Sequence, residues 1–381
     1  MPDTSIVFSA PQPAAGTHVL AVGVGRYPHL VGGDGVRLKD HQGLGQLSSP
    51  PVSARAVATW FSESFRNPTR PLASVRLLVS EASPTPWVAP DGSPKAVAPA
   101  TMDEVTAAFK AWFADGDSHE DNLLVFYFCG HGLASGAITA LLTEDFGADP
   151  LNALDGAIDF HRNRLGMSRC KAKQQLYLVD ACRTDADMTR YSVDYAGRVF
   201  VQPKAMGGTV ERPVLYSTLL GQPAHGRVGM PSHFAQALIE AFEGAGGERS
   251  QGDWRVRTST LHFAIDAHLH RRIRAGEISA QIAPADNLTS FDLHYLDKPP
   301  AVPVIVSCRP DQALPSATLR CLSGANVVVQ RPPGNEPWEV SLPVGMYDFE
   351  ATFAPGTFQP TKRSGEYVYP PELNVPMEAK P

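Results

Sequence analysis

The chain has 381 residues, which is enough for two domains and for a sizeable hydrophobic core. Its formal net charge is −6 and its basic residues are scattered, so the composition argues against a protein that binds nucleic acid. No apolar run approaches the ~20 residues that cross a bilayer, and the first residues lack the pattern of a signal peptide. We therefore expect no membrane association, and we predict a short disordered leader at residues 1–15.

From residue 16 onward, apolar strand-like segments alternate with amphipathic helix-like segments. The predicted elements, in chain order, are a strand at 17–27, a helix at 50–65, a strand at 73–81 and a helix at 101–115. They are followed by strands at 122–132, 174–182 and 213–221 and by helices at 232–244 and 260–276. Thr101 and Glu104 form a capping-box pattern at the start of the second helix. Because strands that are apolar throughout are buried on both faces, the pattern predicts an α/β domain with a mostly parallel sheet between helices.

The character of the sequence changes after about Leu296. Residues 297–303 are rich in proline and predict a linker. Residues 304–381 contain short alternating segments between Pro/Gly turns, which predict a small all-β sandwich domain. The stretch "LPVGMYDFEATFAPG" resembles the hairpin of transthyretin-like or carboxypeptidase-regulatory-like modules. This domain carries no candidate chemistry, so we expect it to serve regulation or to dock a regulatory partner.

The five cysteines are odd in number and show no CxxC spacing, which favours a reducing cytoplasm over a disulfide framework and argues against a zinc site. Four of them, Cys129, Cys170, Cys308 and Cys321, are interpreted as small core residues. Cys182 differs because it closes an apolar run and follows an acid, Asp180, by two residues.

Two strand ends carry residue types that can do chemistry. The strand at 122–132 ends in Cys129-Gly130-His131-Gly132, and the strand at 174–182 ends in Asp180-Ala181-Cys182. Ligands of open α/β sheets bind beyond the carboxyl ends of the strands. A histidine within hydrogen-bond reach of a thiol favours the thiolate and can later protonate a leaving amine. From the residues alone, catalysis by His131 and Cys182 competes with a buried cysteine and an ordinary loop histidine.

These motifs are similar to those of a known superfamily. "FYFCGHG" followed by "LYLVDACR" resembles the caspase and metacaspase superfamily of cysteine proteases, and the likeness extends in order over residues 16 to 275. It implies a caspase-like three-layer fold for a peptidase domain at 16–296. It further implies a catalytic dyad of His131 and Cys182, with the backbone N–H groups of Gly132 and Cys182 donating to the oxyanion.

The resemblance makes Asp180 the residue that sets specificity. Caspases that cut after aspartate have glutamine at this position, whereas metacaspases, paracaspases and their relatives have an aspartate and cleave after Arg or Lys. A buried carboxylate is stable when a cation fills the pocket, so Asp180 predicts a basic residue before the cleaved bond. The alternative is a structural cap at the end of the strand. Ser217 and His225 flank the presumed groove, and Ser217 is expected to contact the substrate.

Residues 183–212 have little periodicity and predict a long functional loop. The resemblance suggests processing there, and the basic residues that a basic-specific protease could cut are Arg190, Arg198, Lys204 and Arg212. Asp185 and Asp187 could bind calcium, which metacaspases often use, although a solvated loop explains them as well. No other metal or cofactor is expected.

The sequence thus predicts a cytoplasmic bacterial cysteine endopeptidase that cleaves proteins or peptides after Arg or Lys. The resemblance suggests a regulated effector of cell death or antiviral defence. Three alternatives stay open: an inactive caspase-like scaffold, a caspase-like protease that cleaves after aspartate, and another thiol enzyme such as a transferase or amidase.

Overall fold

The computed structural model describes residues 4–10, 14–135, 138–185, 197–203, 210–219, 228–278 and 281–381. The chain divides into two compact units. The first comprises Met1–Ile239 and His268–Phe291, and the second comprises Glu240–Ala267 and Asp292–Pro381. Among the described residues, no helix is both long enough and apolar enough to cross a membrane.

The helices are α1 Ser49–Ser64, α2 Met102–Asp117, α3 Phe160–Gly166, α4 His233–Glu240 and α5 Thr258–Arg274. The strands of the first unit are β1 Ile6–Ser9, β2 Thr17–Val24, β3 Leu72–Ser80, β4 Trp87–Val88, β5 Pro94–Lys95, β6 Leu123–Gly130, β7 Gly132–Ser135, β8 Ile138–Leu142, β9 Ala157–Asp159, β10 Gln174–Ala181, β11 Thr184–Asp185, β12 Val214–Tyr216 and β15 Ala285–Asp286. The strands of the second unit are β13 Gly247–Ser250, β14 Asp253–Arg257, β16 Asp292–Leu296, β17 Ala301–Arg309, β18 Ala317–Ser323, β19 Asn326–Arg331, β20 Trp338–Pro343, β21 Gly345–Phe353, β22 Thr361–Val368 and β23 Leu373–Glu378.

The first unit is built on a mostly parallel sheet, as predicted. In the described part of the chain its strands follow the order β1-β3-β2-β6-β10-β12-β15. The inner strands from β3 to β12 are parallel, and the two edge strands, β1 and β15, run antiparallel to their neighbours. The carboxyl ends of β2, β3, β6, β10 and β12 therefore meet at one edge of the sheet.

Helices cover both faces of this sheet because the strand side chains alternate between two apolar surfaces. On one face, Trp112 of α2 contacts the rings of Phe126 and Tyr177. On the other face, α1 approaches so closely that a Cβ on Gly23 would lie 2.7 Å from the Cβ of Ala54. The result is the predicted three-layer arrangement.

The disordered leader predicted for residues 1–15 is corrected by the structure. Ile6–Ser9 form β1, which pairs with β3 and buries Val7. A four-residue strand at a sheet edge gains its order from that pairing, so its own sequence gives little signal.

The second unit contains the predicted all-β part. One sheet has the order β20-β17-β23, another has β19-β18-β21-β22, and a third has β13-β14-β16. Side chains of the first two sheets share one core, for example Val306 of β17 with Cys321 of β18 and Phe349 of β21, so they form a sandwich. The linker predicted at 297–303 is shorter than expected, because Ala301–Pro303 already belong to β17.

Candidate active site

The register of the parallel strands brings His131 and Cys182 side by side. Gly130 of β6 pairs with Ala181 of β10, and Leu133 of β7 pairs with Thr184 of β11, an offset of 51 residues in both cases. His131 and Cys182 share that offset and lie between the two pairs. The backbones are close here, since a Cβ on Gly132 would lie 2.5 Å from the carbonyl oxygen of Cys182. Only glycine allows this approach.

The His131 side chain is fixed in one orientation. Its Nε2 lies 2.7 Å from the carbonyl oxygen of Gly45. Because a carbonyl can only accept, Nε2 carries the hydrogen, and Nδ1 is the ring nitrogen left for proton exchange. The ring is 7% exposed. Burial lowers the pKa of His131, and the Gly45 carbonyl partly opposes that shift.

Tyr27 supports the backbone of His131 and was missed by the sequence reasoning. Its hydroxyl accepts the His131 backbone N–H at 2.8 Å and donates to the Leu142 carbonyl at 3.4 Å. The rings of Tyr27 and His131 lie 4.8 Å apart between centroids. The Gln46 side chain in turn bonds both the N–H and the carbonyl of Tyr27, at 2.9 and 2.8 Å. The available signal was a polar aromatic residue at the end of the first predicted strand, 17–27.

Asp180 lies in the same site but is almost completely buried, with 2% of its surface exposed. Its Oδ2 accepts hydrogen bonds from the Tyr127 hydroxyl at 3.0 Å, the Cys129 thiol at 3.3 Å and the Ser232 hydroxyl. Within the described ranges it forms no ion pair with a lysine, arginine or histidine. Burial raises the pKa of Asp180, and these donors offset only part of the shift.

Ser232 and Ser217 are the neighbours of Asp180 from later in the chain. Ser232 precedes α4, and its hydroxyl accepts the N–H of Ala235 at 2.9 Å, as an N-cap does. Its own N–H donates to the Ser53 hydroxyl at 2.9 Å, which ties the pocket to α1. The Ser217 side chain is fully buried, and its hydroxyl also lowers the pKa of Asp180. The structure thus groups Ser217 with the acid, while His225 lies outside the described residues.

Arg183 anchors the segment that follows Cys182. Its guanidinium lies 4.0 Å from the centroid of the Tyr216 ring. A cation over an aromatic face is attracted by the ring quadrupole. Since Tyr216 ends the neighbouring strand β12, this contact ties the residue after Cys182 to the same sheet edge.

The other four cysteines are buried, as predicted, whereas Cys182 is partly exposed. Burial raises the pKa of all four thiols, to about 11 for Cys170 and Cys321. Such thiols are poor nucleophiles at neutral pH because the thiolate is scarce.

Of the two predicted calcium ligands, the structure describes one. Asp185 belongs to β11, and Asp187 lies outside the described residues. Across the described ranges, no three His, Cys, Asp or Glu residues are grouped as metal ligands. Calcium dependence stays a prediction.

Two of the four predicted self-cleavage residues are described, and both are held by the fold. The backbone N–H and carbonyl of Arg198 bond Ala157 and Asp159 at 2.8 and 3.2 Å. The Arg212 guanidinium donates to the carbonyl of Arg164 at 2.6 Å. Arg190 and Lys204 lie outside the described residues.

Part of the chain is similar to a known protein family. The caspase domain family matches residues 93–258, a range that contains His131, Asp180 and Cys182. This part of the chain is a caspase-like domain. Its fold is that of a caspase-like peptidase, a mixed α/β fold with a mostly parallel central sheet.

The chain is also similar to an uncharacterized protein, y4kE, of Sinorhizobium fredii. It is 26% identical over 290 residues, which cover 69% of this chain and 81% of the relative. A solved structure from Geobacter sulfurreducens has a TM-score of 0.42 at 13% identity and covers 74% of this chain and 95% of its own. Caspase-1 from Spodoptera frugiperda has a TM-score of 0.42 at 11% identity, with 74% and 93% covered.

Proposed function

We propose that the protein is a cysteine endopeptidase in which Cys182 is the nucleophile and His131 the general acid and base. The observation that carries this proposal is the common offset that sets His131 beside Cys182 at the carboxyl edge of the sheet. The bond from Nε2 to the Gly45 carbonyl supports it, because Nδ1 is left to exchange protons. The partial exposure of Cys182, against four buried cysteines, supports it as well.

The reaction follows from these roles. Nδ1 of His131 takes the thiol proton of Cys182, and Sγ attacks the peptide carbonyl carbon, forming an S–C bond. The backbone N–H groups of Gly132 and Cys182 stabilise the oxyanion. When the C–N bond breaks, His131 gives its proton to the leaving amine. Water, deprotonated by His131, then hydrolyses the thioester and returns the thiol.

We propose further that the enzyme cleaves after Arg or Lys, because Asp180 is a buried carboxylate without a cationic partner in the described part of the chain. Leaving a buried charge unpaired is costly, and a guanidinium or ammonium group of the substrate would compensate it. An aspartate side chain in the same pocket would add a second negative charge and would be repelled. The specificity proposal therefore rests on Asp180 alone and can fail separately from the dyad.

The test compares fluorogenic peptides that differ only in Arg, Lys, Asp or Asn before the leaving group, with and without calcium. We expect wild type to release fluorophore after Arg and Lys, and Cys182→Ala to release none. Cys170→Ala is the matched control, since this buried thiol has no proposed role, and it should retain wild-type activity. Cleavage after Asp alone would contradict the basic pocket. Full activity of Cys182→Ala would refute the mechanism, and an inert wild type whose Cys182 resists a peptidyl alkylator would indicate a scaffold.

The cellular role is part of the proposal. A regulated effector protease needs a means of control, and processing within 183–212 or a partner bound by the C-terminal β domain would provide one. Mass spectrometry of the incubated enzyme, with Cys182→Ala as the blank, detects such processing. Identical spectra for the two proteins would argue against it.

A further inference from the structure

A cleft of about 700 Å³ opens at the same sheet edge as His131, on the side away from Cys182. Its lining includes Gly25 and Arg26 after β2, Gln46 and Leu47 from the loop between β2 and α1, and Glu81 after β3. In the sheet order, β6 separates these strands from β10. The cleft therefore lies on the side of β6 that is opposite to β10 and Cys182.

The wall of this cleft is continuous with the groups that hold His131. Gln46 directly follows Gly45, whose carbonyl accepts the Nε2–H of His131. The same Gln46 side chain bonds both backbone groups of Tyr27, whose hydroxyl accepts the His131 N–H. The Leu47 N–H donates to the Gly25 carbonyl at 2.8 Å, which closes the wall onto β2. A ligand in the cleft would therefore contact the loop whose Gly45 carbonyl holds His131.

The course of the proposed reaction indicates which part of the substrate would occupy the cleft. Sγ of Cys182 keeps the acyl part of the substrate, while His131 must reach the leaving nitrogen to protonate it as the C–N bond breaks. The chain that continues from this nitrogen starts on the His131 side of the bond. Resting on the proposed peptidase function, we infer that the cleft binds the substrate segment on the carboxyl side of the cleaved bond.

The charges of the cleft indicate which side chains it favours. Arg26 is paired with both oxygens of Asp34, each at 3.0 Å, and with Glu144. Glu81 is paired with Arg55 at 2.6 Å. Of these charged residues, Arg26, Asp34 and Glu81 line the cleft, and two carboxylates against one guanidinium group leave one net negative charge. The Asp34 side chain is 73% exposed and faces the cleft. The cleft therefore favours a basic residue in the leaving segment over an acidic one, by an attraction that salt screens.

The experiment uses substrates with one common acyl part that ends in arginine. One carries only a coumarin amide, and the others carry a six-residue leaving segment that is neutral or contains Lys or Glu. We expect the leaving segment to raise kcat/KM by about tenfold, because binding energy from remote parts of a substrate also stabilises the transition state. We expect Lys to exceed Glu by about threefold at low salt, with a smaller ratio at high salt.

Three variants locate the effect. Ala82→Trp fills the cleft at an exposed lining position and should abolish the gain from the leaving segment without changing cleavage of the coumarin amide. Ala14→Trp is the matched control, an exposed alanine that lines a cleft at the other end of the sheet, and it should keep the gain. Asp34→Asn should remove the preference for Lys over Glu.

The outcomes separate this inference from the proposed function. If wild type cleaves the coumarin amide but gains nothing from a leaving segment, the inference is wrong and the peptidase proposal stands. A gain that survives in Ala82→Trp overturns the inference as well. If no substrate is cleaved and Cys182 resists a peptidyl alkylator, the proposed function fails and the inference fails with it.

Discussion

Asp180→Asn removes the charge from the proposed specificity pocket while keeping its shape. The carboxylate is 2% exposed, and its donors are the Tyr127 and Ser232 hydroxyls and the Cys129 thiol. An amide oxygen can accept the same hydrogen bonds, so the fold should survive. Losing one partner of a buried charge pair costs about 2–5 kcal/mol. We therefore expect kcat/KM for substrates with Arg or Lys before the cleaved bond to fall by about 30-fold or more.

The stability of Asp180→Asn should rise or stay unchanged at neutral pH, although its activity falls. Because burial raises the pKa of Asp180 in the folded state, its ionisation stabilises the unfolded state at neutral pH. The favourable contribution of the acid is fully present below its ordinary pKa of about 3.9 and is lost as the pH rises through the higher folded value. At pH 7 the Tm of Asp180→Asn should equal or exceed that of wild type. The difference should shrink as the pH falls towards 4.

The assay measures kcat/KM for the Arg and Lys peptides together with thermal unfolding at several pH values. Asp159→Asn is the matched control, since Asp159 is another fully buried acid whose pKa is raised by burial, and it caps α3 away from the dyad. Asparagine is an equally good N-cap, so this variant should keep wild-type kinetics. Cleavage after Arg by Asp180→Asn within about threefold of wild type, in a folded protein, would refute the reasoning about the pocket.

Three further predictions concern the dyad and its loop. Because burial lowers the pKa of His131, its base form persists below pH 6.5. The acid limb of the pH profile of kcat/KM should therefore have its midpoint below that value. A midpoint above it would contradict the assignment of His131 as the general base. Tyr27→Phe leaves the buried His131 N–H without its acceptor. It should lower the free energy of unfolding by about 1–3 kcal/mol and should also lower kcat. An unchanged Tm would show that this hydrogen bond is dispensable. Self-processing, followed by mass spectrometry, should spare the bond after Arg198, whose backbone is hydrogen-bonded on both sides; a cut there would show that this segment opens.

Much of the fold could be predicted because its strands and helices have strong periodic patterns. The first strand was expected at 17–27 and lies at Thr17–Val24, and the first helix was expected at 50–65 and lies at Ser49–Ser64. The Thr101 half of the capping pattern of α2 is confirmed, since its side chain accepts the Glu104 N–H at 3.4 Å, whereas the Glu104 carboxylate accepts from the Thr4 hydroxyl. β1 and the strands β7 to β9 were missed, because such short segments are stabilised by partners distant in sequence.

The candidate site was predictable in part. The residue types at the two strand ends pointed to His131, Asp180 and Cys182, but their pairing depends on β6 and β10 being neighbours, which no local pattern encodes. The partners that fix them were not predicted. Gly45 is 86 residues from His131, and Ser232 is 52 residues from Asp180. Contacts of this kind depend on the tertiary fold.

Asp180, the proposed specificity residue, is only partly stabilised by the protein groups around it. Asp180 is expensive to ionise because it is buried, yet Ser232 bonds it from the N-terminus of α4, where the helix dipole favours a negative charge. The Ser232 N–H is held by Ser53, so the position of this donor depends on α1 as well. The net effect still leaves the pKa of Asp180 raised, which means that the protein donors compensate the charge incompletely. Under the proposed specificity, a substrate cation that enters the pocket would remove the remaining cost, so binding energy there would depend on an acid that the empty fold only partly stabilises.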